Sequence, residues 1–433
     1  MTVQTSLQRI ANKTKSLKAY RFRNLYGMLN EEMLIDSWRF IRKDAAYGVD
    51  KVSAQEYEQN LEGNVHNLVE RLKRKSYRAK LVRRRYIPKD SSKLRPLGIP
   101  ATEDKLLQLA VKRILEAIYE QDFLRCSYGY RPNLGALDAV DKLTIKLQFG
   151  RYNYVVEADI KSFFDHVDHD WLIRMLEERI DDGALLWLIK KWLKAGVLDT
   201  DDKVIHPVTG TPQGGGISPI LANLYLHYAL DLWFQHRFKR QCRGEACLIR
   251  YADDFVCAFE HQQEAERFFQ ALGARLANFG LQLSPEKTRV IPFIPLHPAK
   301  TSFDFLGFEF RWGRDRKGNP HLKRRTSRKK LQASLKRFTQ WSRDHRNLRL
   351  KELLPLLNIK LRGYYNYFGV HGNFASLAQF FHQVTRILFK WLNRRSQKHS
   401  FTWATYIVIL THYQIVKPYI IGRPKTRPAN LMA

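Results

Sequence analysis

The carboxylates Asp159, Asp253 and Asp254 carry the chemistry that this sequence offers. Asp159 closes a run over residues 152–160 that alternates and then turns apolar, as a strand entering a buried sheet does. Asp253-Asp254 fall at the tip of a tight hairpin over residues 246–259. A carboxylate at the end of an apolar strand is costly unless it is paired or bound to a cation. Such groups from two non-adjacent strands converge only where positive charge offsets their repulsion, and hard oxygen ligands with positions left for phosphate and water suit Mg²⁺. Two ions about 4 Å apart would clamp the attacking 3′-oxygen and the leaving pyrophosphate oxygen of an in-line displacement. Asp also favours turns, so a lone Asp pair would carry little weight. Here strand residues Arg250-Tyr251 and Phe255-Val256 flank the pair, and Asp159 recurs on a second strand end.

The elements that must position these groups can be read from spacing. Residues 31–79 follow a helical period, broken by a turn at Tyr47-Gly48-Val49-Asp50. Residues 83–89 and 93–100 read as two strands about Asp90-Ser91-Ser92, and a long amphipathic helix follows over 103–119. Residues 171–195 are helical with a break near Asp181-Asp182-Gly183, and 219–233 form a helix preceded by Gly214-Gly215-Gly216. A helix over 262–279 turns Phe268, Phe269, Leu272, Leu276 and Phe279 inward. A short strand–turn–strand region spans 303–312; residues 314–351 are dense in Arg and Lys, and the remainder is helical and aromatic-rich. Alternating strands and helices followed by a helical basic region predict an α+β body with a helical appendage.

Composition narrows the partner. The chain of 433 residues exceeds what one core of about 100–200 residues needs, so two or three structural units are expected. Apolar residues at 44% and charged residues at 27% are a globular composition, which excludes disorder. No uncharged run approaches the roughly 20 apolar residues that cross a bilayer. Lys and Arg number 74 against 42 Asp and Glu, a formal charge of +32. That self-repulsion destabilises a compact chain unless a polyanion offsets it, which points to nucleic acid. An anionic membrane is a weaker rival, because the basic residues are not gathered on one amphipathic helix. Residues 1–30 hold no acid and fit either a transit peptide or a basic arm that touches RNA; the aromatic lead-in at Tyr20, Phe22 and Tyr26 favours the arm. Four cysteines cannot make a disulfide framework, and Cys242 with Cys247 lacks a second ligand pair for zinc.

In order along the chain, these motifs resemble those of a group II intron-type reverse transcriptase. Ile87-Pro88-Lys89, Arg95-Pro96-Leu97-Gly98-Ile99-Pro100 and Ser127-Tyr128-Gly129-Tyr130-Arg131-Pro132 resemble fingers blocks; Val156-Glu157-Ala158-Asp159-Ile160-Lys161-Ser162-Phe163-Phe164-Asp165 resembles the first metal-binding motif. Thr211-Pro212-Gln213-Gly214-Gly215-Gly216-Ile217-Ser218-Pro219 resembles the template- and nucleotide-contacting motif, and Tyr251-Ala252-Asp253-Asp254 the signature hairpin. Leu281-Gln282-Leu283-Ser284-Pro285-Glu286-Lys287-Thr288 and Phe305-Leu306-Gly307-Phe308 resemble the two motifs that close the palm, the second being the primer grip. The resemblance implies a right-hand polymerase: an N-terminal extension with fingers over 1–150, an RRM-like palm over 151–312, and an all-helical thumb with maturase region over 313–433. It also implies catalytic Asp159, Asp253 and Asp254, two Mg²⁺ ions at positions Asp159, Ile160, Asp253 and Asp254, and dNTP substrates.

Other roles follow from the resemblance together with residue chemistry. Phe164 occupies the place of an aromatic gate whose ring would collide with a ribose 2′-hydroxyl. Lys89 and Arg95 would grip the triphosphate, Arg being suited to bidentate contact. Gln213 would touch nucleotide or template beside glycines that let the backbone approach, and Lys287 would act as general acid toward pyrophosphate. Primer or RNA contacts are expected at Phe305, Leu306, Gly307, Arg324, Arg325, Lys329, Arg362 and Tyr364, with many aromatics of the tail serving as core. Many members append an endonuclease with paired Cys and His ligands; with only Cys126, Cys242, Cys247 and Cys257, none is expected here.

The function so implied is RNA-directed DNA polymerase copying an intron RNA into cDNA and binding that RNA as a splicing maturase for intron mobility. Partners would be the group II intron RNA, in a ribonucleoprotein, and a DNA target or primer, with no membrane; the setting would be the bacterial cytoplasm or an organelle. The alternatives are a domesticated relative in bacterial defence or DNA repair, a splicing-only RNA-binding maturase, and an RNA replicase. Intact carboxylates oppose the splicing-only reading and Phe164 opposes the replicase.

Overall fold

A computed structural model describes residues 2–88, 94–201, 203–206, 208–211, 214–295, 301–395, 397 and 400–421. The chain divides into two compact units, one of residues 1–143 with 154–290 and the other of 144–153 with 291–433.

The first unit holds two sheets. In one, Leu94–Ile99 pairs antiparallel with Val82–Pro88, which runs parallel to Val197–Leu198; Val204–Ile205 closes the edge. The other has the order Ala246–Tyr251, Asp254–Phe259, Tyr154–Ala158, Arg289–Pro292, with antiparallel pairing among the first three. Its central strands are nearly continuous in apolar residues (Val155, Val156, Phe255, Val256, Cys257, Ala258 and Phe259 are all buried) because helices cover the sheet. Helix Gln262–Ala277 packs on it through Phe268, Leu272 and Leu276. Phe269, expected on that inner face, is 37% exposed instead, since it lies 100° round the helix from Phe268.

Residues 2–30 pack onto the first unit. Thr2 caps a helix over Val3–Ser16 that buries Val3, Ile10, Ala11 and Thr14, and this helix packs against helix Thr102–Tyr119. The Arg179 guanidinium fixes its C-terminal end by donating to the carbonyls of Thr14, Leu17, Lys18 and Tyr20 and pairing with Asp122 at 2.9 Å. The break near Asp182 is an N-cap: its carboxylate accepts from the N–H groups of Ala184 and Leu185 to start helix Gly183–Leu193. The helix beginning at Ser218 continues through two π-turns, His227–Asp231 and Phe234–Phe238, rather than ending as one α-helix near 233.

In the second unit Ser302–Phe305, Phe308–Arg314 and Pro320–Thr326 form an antiparallel sheet, so the all-helical part begins at Arg328. Helices Arg328–His345, Leu350–Phe368, Phe374–Leu392 and Trp403–His412 follow. Their aromatics are largely core: Tyr365 and Tyr406 are fully buried, and Phe308 packs on Tyr367 and Phe368. No helix among the described residues is long and apolar enough to cross a membrane. The four cysteines are free thiols, Cys247 and Cys257 buried.

Candidate active site

Asp159 and Asp254 are brought together by strand register. Ala158 pairs with Phe255 at the end of the antiparallel ladder, and Asp159 and Asp254 are the next residue on each of these two strands. Asp253 occupies the two-residue connection Ala252-Asp253, because Tyr251 pairs with Asp254 across the hairpin. Ala252 has φ +56°, and a Cβ on Gly129 would lie 2.3 Å from the Ala252 nitrogen, so glycine is required where the Ser127–Arg131 loop crosses the turn.

The other flank of Asp159 is tied to residues 282–284. The Lys161 N–H donates to the Gln282 carbonyl and the Ser284 N–H to the Asp159 carbonyl, both at 2.8 Å. The turn Pro285–Lys287 then brings Lys287 round, so that Ser284 Oγ and Lys287 Nζ donate to Asp159 Oδ2 at 2.9 and 2.8 Å. That hydrogen bond from Lys287 raises its pKa above the ordinary lysine value, burial pulling the other way.

Among the described residues no three His, Cys, Asp or Glu side chains are already gathered as a metal cluster. In this arrangement Asp159 Oδ2 is directed at Ser284 and Lys287. The donor set nonetheless fits a hard divalent cation: Asp159 and Asp253 are half-buried carboxylates, Asp254 is exposed beside them, and a cationic ammonium is already drawn to Asp159. Ile160 is buried and bridges to Leu283, so only its main-chain carbonyl is available for such a role.

The remaining expected residues fall as follows. Phe164 is half-buried, edge-on to Phe163 at 5.3 Å, in a short 3₁₀ turn entered through Ser162 at φ +45°. Arg95 is exposed on its strand, opposite Ile87. Lys89 and Gln213 lie outside the described residues. Gly214 has φ +115°, and a Cβ there would meet the Gly98 carbonyl at 2.5 Å; this glycine serves contact with strand Leu94–Ile99.

In the second unit, Leu306 (φ +49°) and Gly307 (φ +83°) make the two-residue turn between paired Phe305 and Phe308, a type I′ geometry. Tyr367 Oη donates to the Leu306 carbonyl at 2.8 Å, and the Ser327 N–H to that of Gly307. Arg324 donates to Thr144, and Arg325 makes a bidentate pair with Glu309 at 2.9 and 2.8 Å. Lys329 and Arg362 are exposed, whereas Tyr364 is half-buried and stacks on Phe380 at 3.6 Å.

Sequence reasoning passed over several site residues. Tyr130, at φ +58° and 45% exposed, has its hydroxyl pKa raised by burial and then by the Asp253 carboxylate, with Arg95 opposing, which sets its phenol in the neighbourhood of Asp253. Ser284 was read only as part of a motif. Arg250, which flanks the Asp pair in its strand, is completely buried and bound to Asp231 and Asn223. A charged residue inside an otherwise apolar strand was the available signal.

Comparison with known proteins agrees with this architecture. The family described as "Reverse transcriptase (RNA-dependent DNA polymerase)" matches residues 87–310, more than half of the chain, and the "Group II intron, maturase-specific domain" matches 328–406. The group II intron-encoded protein LtrA of Lactococcus lactis is 31% identical over 401 residues, covering 74% of this chain and 65% of that protein. Protein YkfC of Escherichia coli is 33% identical over 305 residues, covering 63% of this chain and 77% of YkfC. A 91 kDa protein in the cob intron of Schizosaccharomyces pombe is 26% identical, covering 83% of this chain and 52% of that protein. The chain therefore belongs to the reverse transcriptase family. Its maturase-specific region is of the kind described for group II introns, and the Lactococcus relative is a group II intron-encoded protein. It spans just under two thirds of the length of the Lactococcus relative.

Proposed function

We propose that the protein is an RNA-directed DNA polymerase that copies intron RNA into cDNA and binds the same RNA as a splicing maturase, with a DNA primer or target as its second partner. The observation that carries this reading is the strand pairing that runs up to Ala158 and Phe255, next to Asp159 and Asp254, with Asp253 in the adjoining turn. Relatives from Lactococcus and Escherichia support a bacterial cytoplasmic setting. The functional division follows the motifs: fingers over 1–150, palm over 151–312, thumb and maturase region over 313–433.

Asp159, Asp253 and Asp254, with the Ile160 carbonyl, would hold two Mg²⁺ ions, which when bound polarise the phosphoryl oxygens and lower the pKa of the attacking hydroxyl. The chain's own residues do the rest. Ser284 and Lys287 orient the Asp159 carboxylate. Lys287 would be the proton donor to the leaving pyrophosphate, its ammonium being held beside the site by Asp159. Arg95, Lys89 and Gln213 would bind the nucleotide, and the Phe164 ring would exclude a ribose 2′-hydroxyl. The Leu306-Gly307 turn, with Phe305, presents main chain suited to a primer, while Arg324, Arg325, Lys329, Arg362 and Tyr364 line the proposed RNA-contacting region. In splicing, the protein supplies binding energy to the active RNA conformation, the RNA being the catalyst.

The test is Asp253→Ala. Primer extension on an RNA template is expected to vanish while RNA affinity stays within about threefold of wild type, since a phosphate-dominated interface does not need that carboxylate. Retained extension would remove Asp253 from the chemistry, and collapse of RNA binding would make it structural.

A further inference from the structure

The turn carrying Asp253 is anchored from beneath by one buried guanidinium. Arg250 has no exposed surface, and its side chain makes four hydrogen bonds inside the first unit. Nε and Nη2 form a fork on Asp231, at 2.8 Å to Oδ1 and 2.5 Å to Oδ2. Nη1 donates to Asn223 Oδ1 at 3.1 Å and to the Ala252 carbonyl at 3.0 Å. That last contact fixes the plane of the peptide joining Ala252 to Asp253. The same residue is held through its backbone: its N–H donates to the Cys126 carbonyl at 2.8 Å and its carbonyl accepts from Tyr128 N–H at 2.9 Å. Asn223 closes the circuit by donating Nδ2 to the Gly129 carbonyl at 2.6 Å, beneath the glycine that abuts Ala252.

The helix is shaped to supply both partners. Asn223 and Asp231 are eight residues apart, which in a regular α-helix puts them about 80° apart round the axis. The π-turn His227–Asp231, closed by the Leu232 N–H on the His227 carbonyl, takes up one extra residue and returns Asp231 to within about 20° of Asn223. Both side chains then reach the same guanidinium, and Asp231 is itself fully buried.

We propose that Arg250, Asp231 and Asn223 form a positioning triad that sets the height and tilt of the Asp253 turn, and that the π-turn exists to complete it. Because Arg250 keeps its charge in a buried bidentate pair, the anchor is rigid rather than adaptable. These residues touch no substrate; they act through the Ala252 carbonyl and the Gly129 backbone. The inference rests on the proposed metal-holding role of Asp253.

The test compares Asn223→Ala, which leaves no buried charge unpaired, with Asp231→Asn, which keeps the shape of the side chain. Primer extension is followed against dNTP and Mg²⁺ concentration. Mn²⁺ binding to a stalled primer–template–dNTP complex is followed by electron paramagnetic resonance, and melting temperature and RNA affinity are measured alongside. A displacement of the carboxylate by about 1 Å is expected to cost on the order of 100-fold in kcat. The Mg²⁺ midpoint should rise several-fold and Mn²⁺ should bind correspondingly weaker, while the KM for dNTP and the RNA affinity stay within about threefold. If folded Asn223→Ala melts at a lower temperature yet keeps kcat and the Mg²⁺ midpoint within twofold, the triad is only a stabilising core and the proposal falls. Should Asp231→Asn fail to fold, Asn223→Ala decides alone. Asp253→Ala runs in parallel: if it still extends primers, the metal-holding role fails, whereas an inactive Asp253→Ala beside an unimpaired Asn223→Ala removes only the triad.

Discussion

A side chain in this protein is read best by what its burial forces it to do. Phe164 is only half-buried although Phe163 beside it is core, so its ring has an exposed face at the strand end that holds Asp159. Phe164→Ala should therefore let ribonucleotides compete, lowering discrimination against rNTPs by about 10-fold or more in single-turnover incorporation; unchanged selectivity would return Phe164 to the core. Asp104 is the opposite case. It is 2% exposed, accepts from Tyr77 Oη at 2.6 Å and the Lys80 N–H at 3.0 Å, and burial pushes its pKa up to about 6. The folded protein thus holds this proton more tightly than the unfolded chain, and stability falls as pH rises from about 4 through 6. The effect is on the order of 3 kcal/mol before relaxation. Melting of Asp104→Asn should gain on wild type across that interval, and a difference independent of pH would refute the assignment. The Asp104 role was not legible from spacing, because Asp104 reads as an ordinary first-turn acid of helix Thr102–Tyr119.

Elements were legible in proportion to how cleanly one face separates from the other. The hairpin Ala246–Tyr251 with Asp254–Phe259 and the helix Gln262–Ala277 showed in the sequence because, Arg250 and Glu264 apart, their buried residues are apolar. Strand Pro320–Thr326 did not, since Lys323, Arg324 and Arg325 mask the inward Leu322 and Thr326. The π-turns after Ser218 left no trace, because an inserted residue in an apolar helix does not disturb composition. The candidate site divides the same way: Asp159 and Asp253 stood out against apolar flanks, while Asp231 and Asn223 are polar residues on a helix whose partner Arg250 is 19 and 27 positions on. The first helix shows what such remote partners contribute. Its end is held by Arg179, which is 4% exposed and paired with Asp122, and truncating one member of a buried pair costs about 3–5 kcal/mol. Arg179→Met should lower stability at the small end of that range, because Lys18 also reaches Asp122 at 3.5 Å. Hydrogen exchange should quicken selectively over residues 3–16; a uniform increase would mean that the helix does not depend on this anchor.

At the scale of the whole molecule the governing quantity is charge. An excess of 32 positive charges makes association with a polyanion favourable through counterion release, and each phosphate neutralised adds about 0.7 to 0.9 to the slope of log affinity against log salt. RNA binding should therefore weaken by at least about 100-fold between 0.1 and 0.5 M monovalent salt, and a flat dependence would contradict a phosphate-dominated interface. Individual cations should not contribute equally. Arg325 already spends its guanidinium on both Glu309 oxygens, whereas Arg362 is exposed on helix Leu350–Phe368. Arg362→Ala should lower the slope by close to one contact and weaken binding at low salt about 10-fold. Arg325→Ala should lower the slope less, because a guanidinium already spent on both Glu309 oxygens neutralises little phosphate. Equal losses in slope for the two variants would show that RNA displaces Glu309 from Arg325, and that the ion pair is a resting state of the surface rather than a fixed part of it.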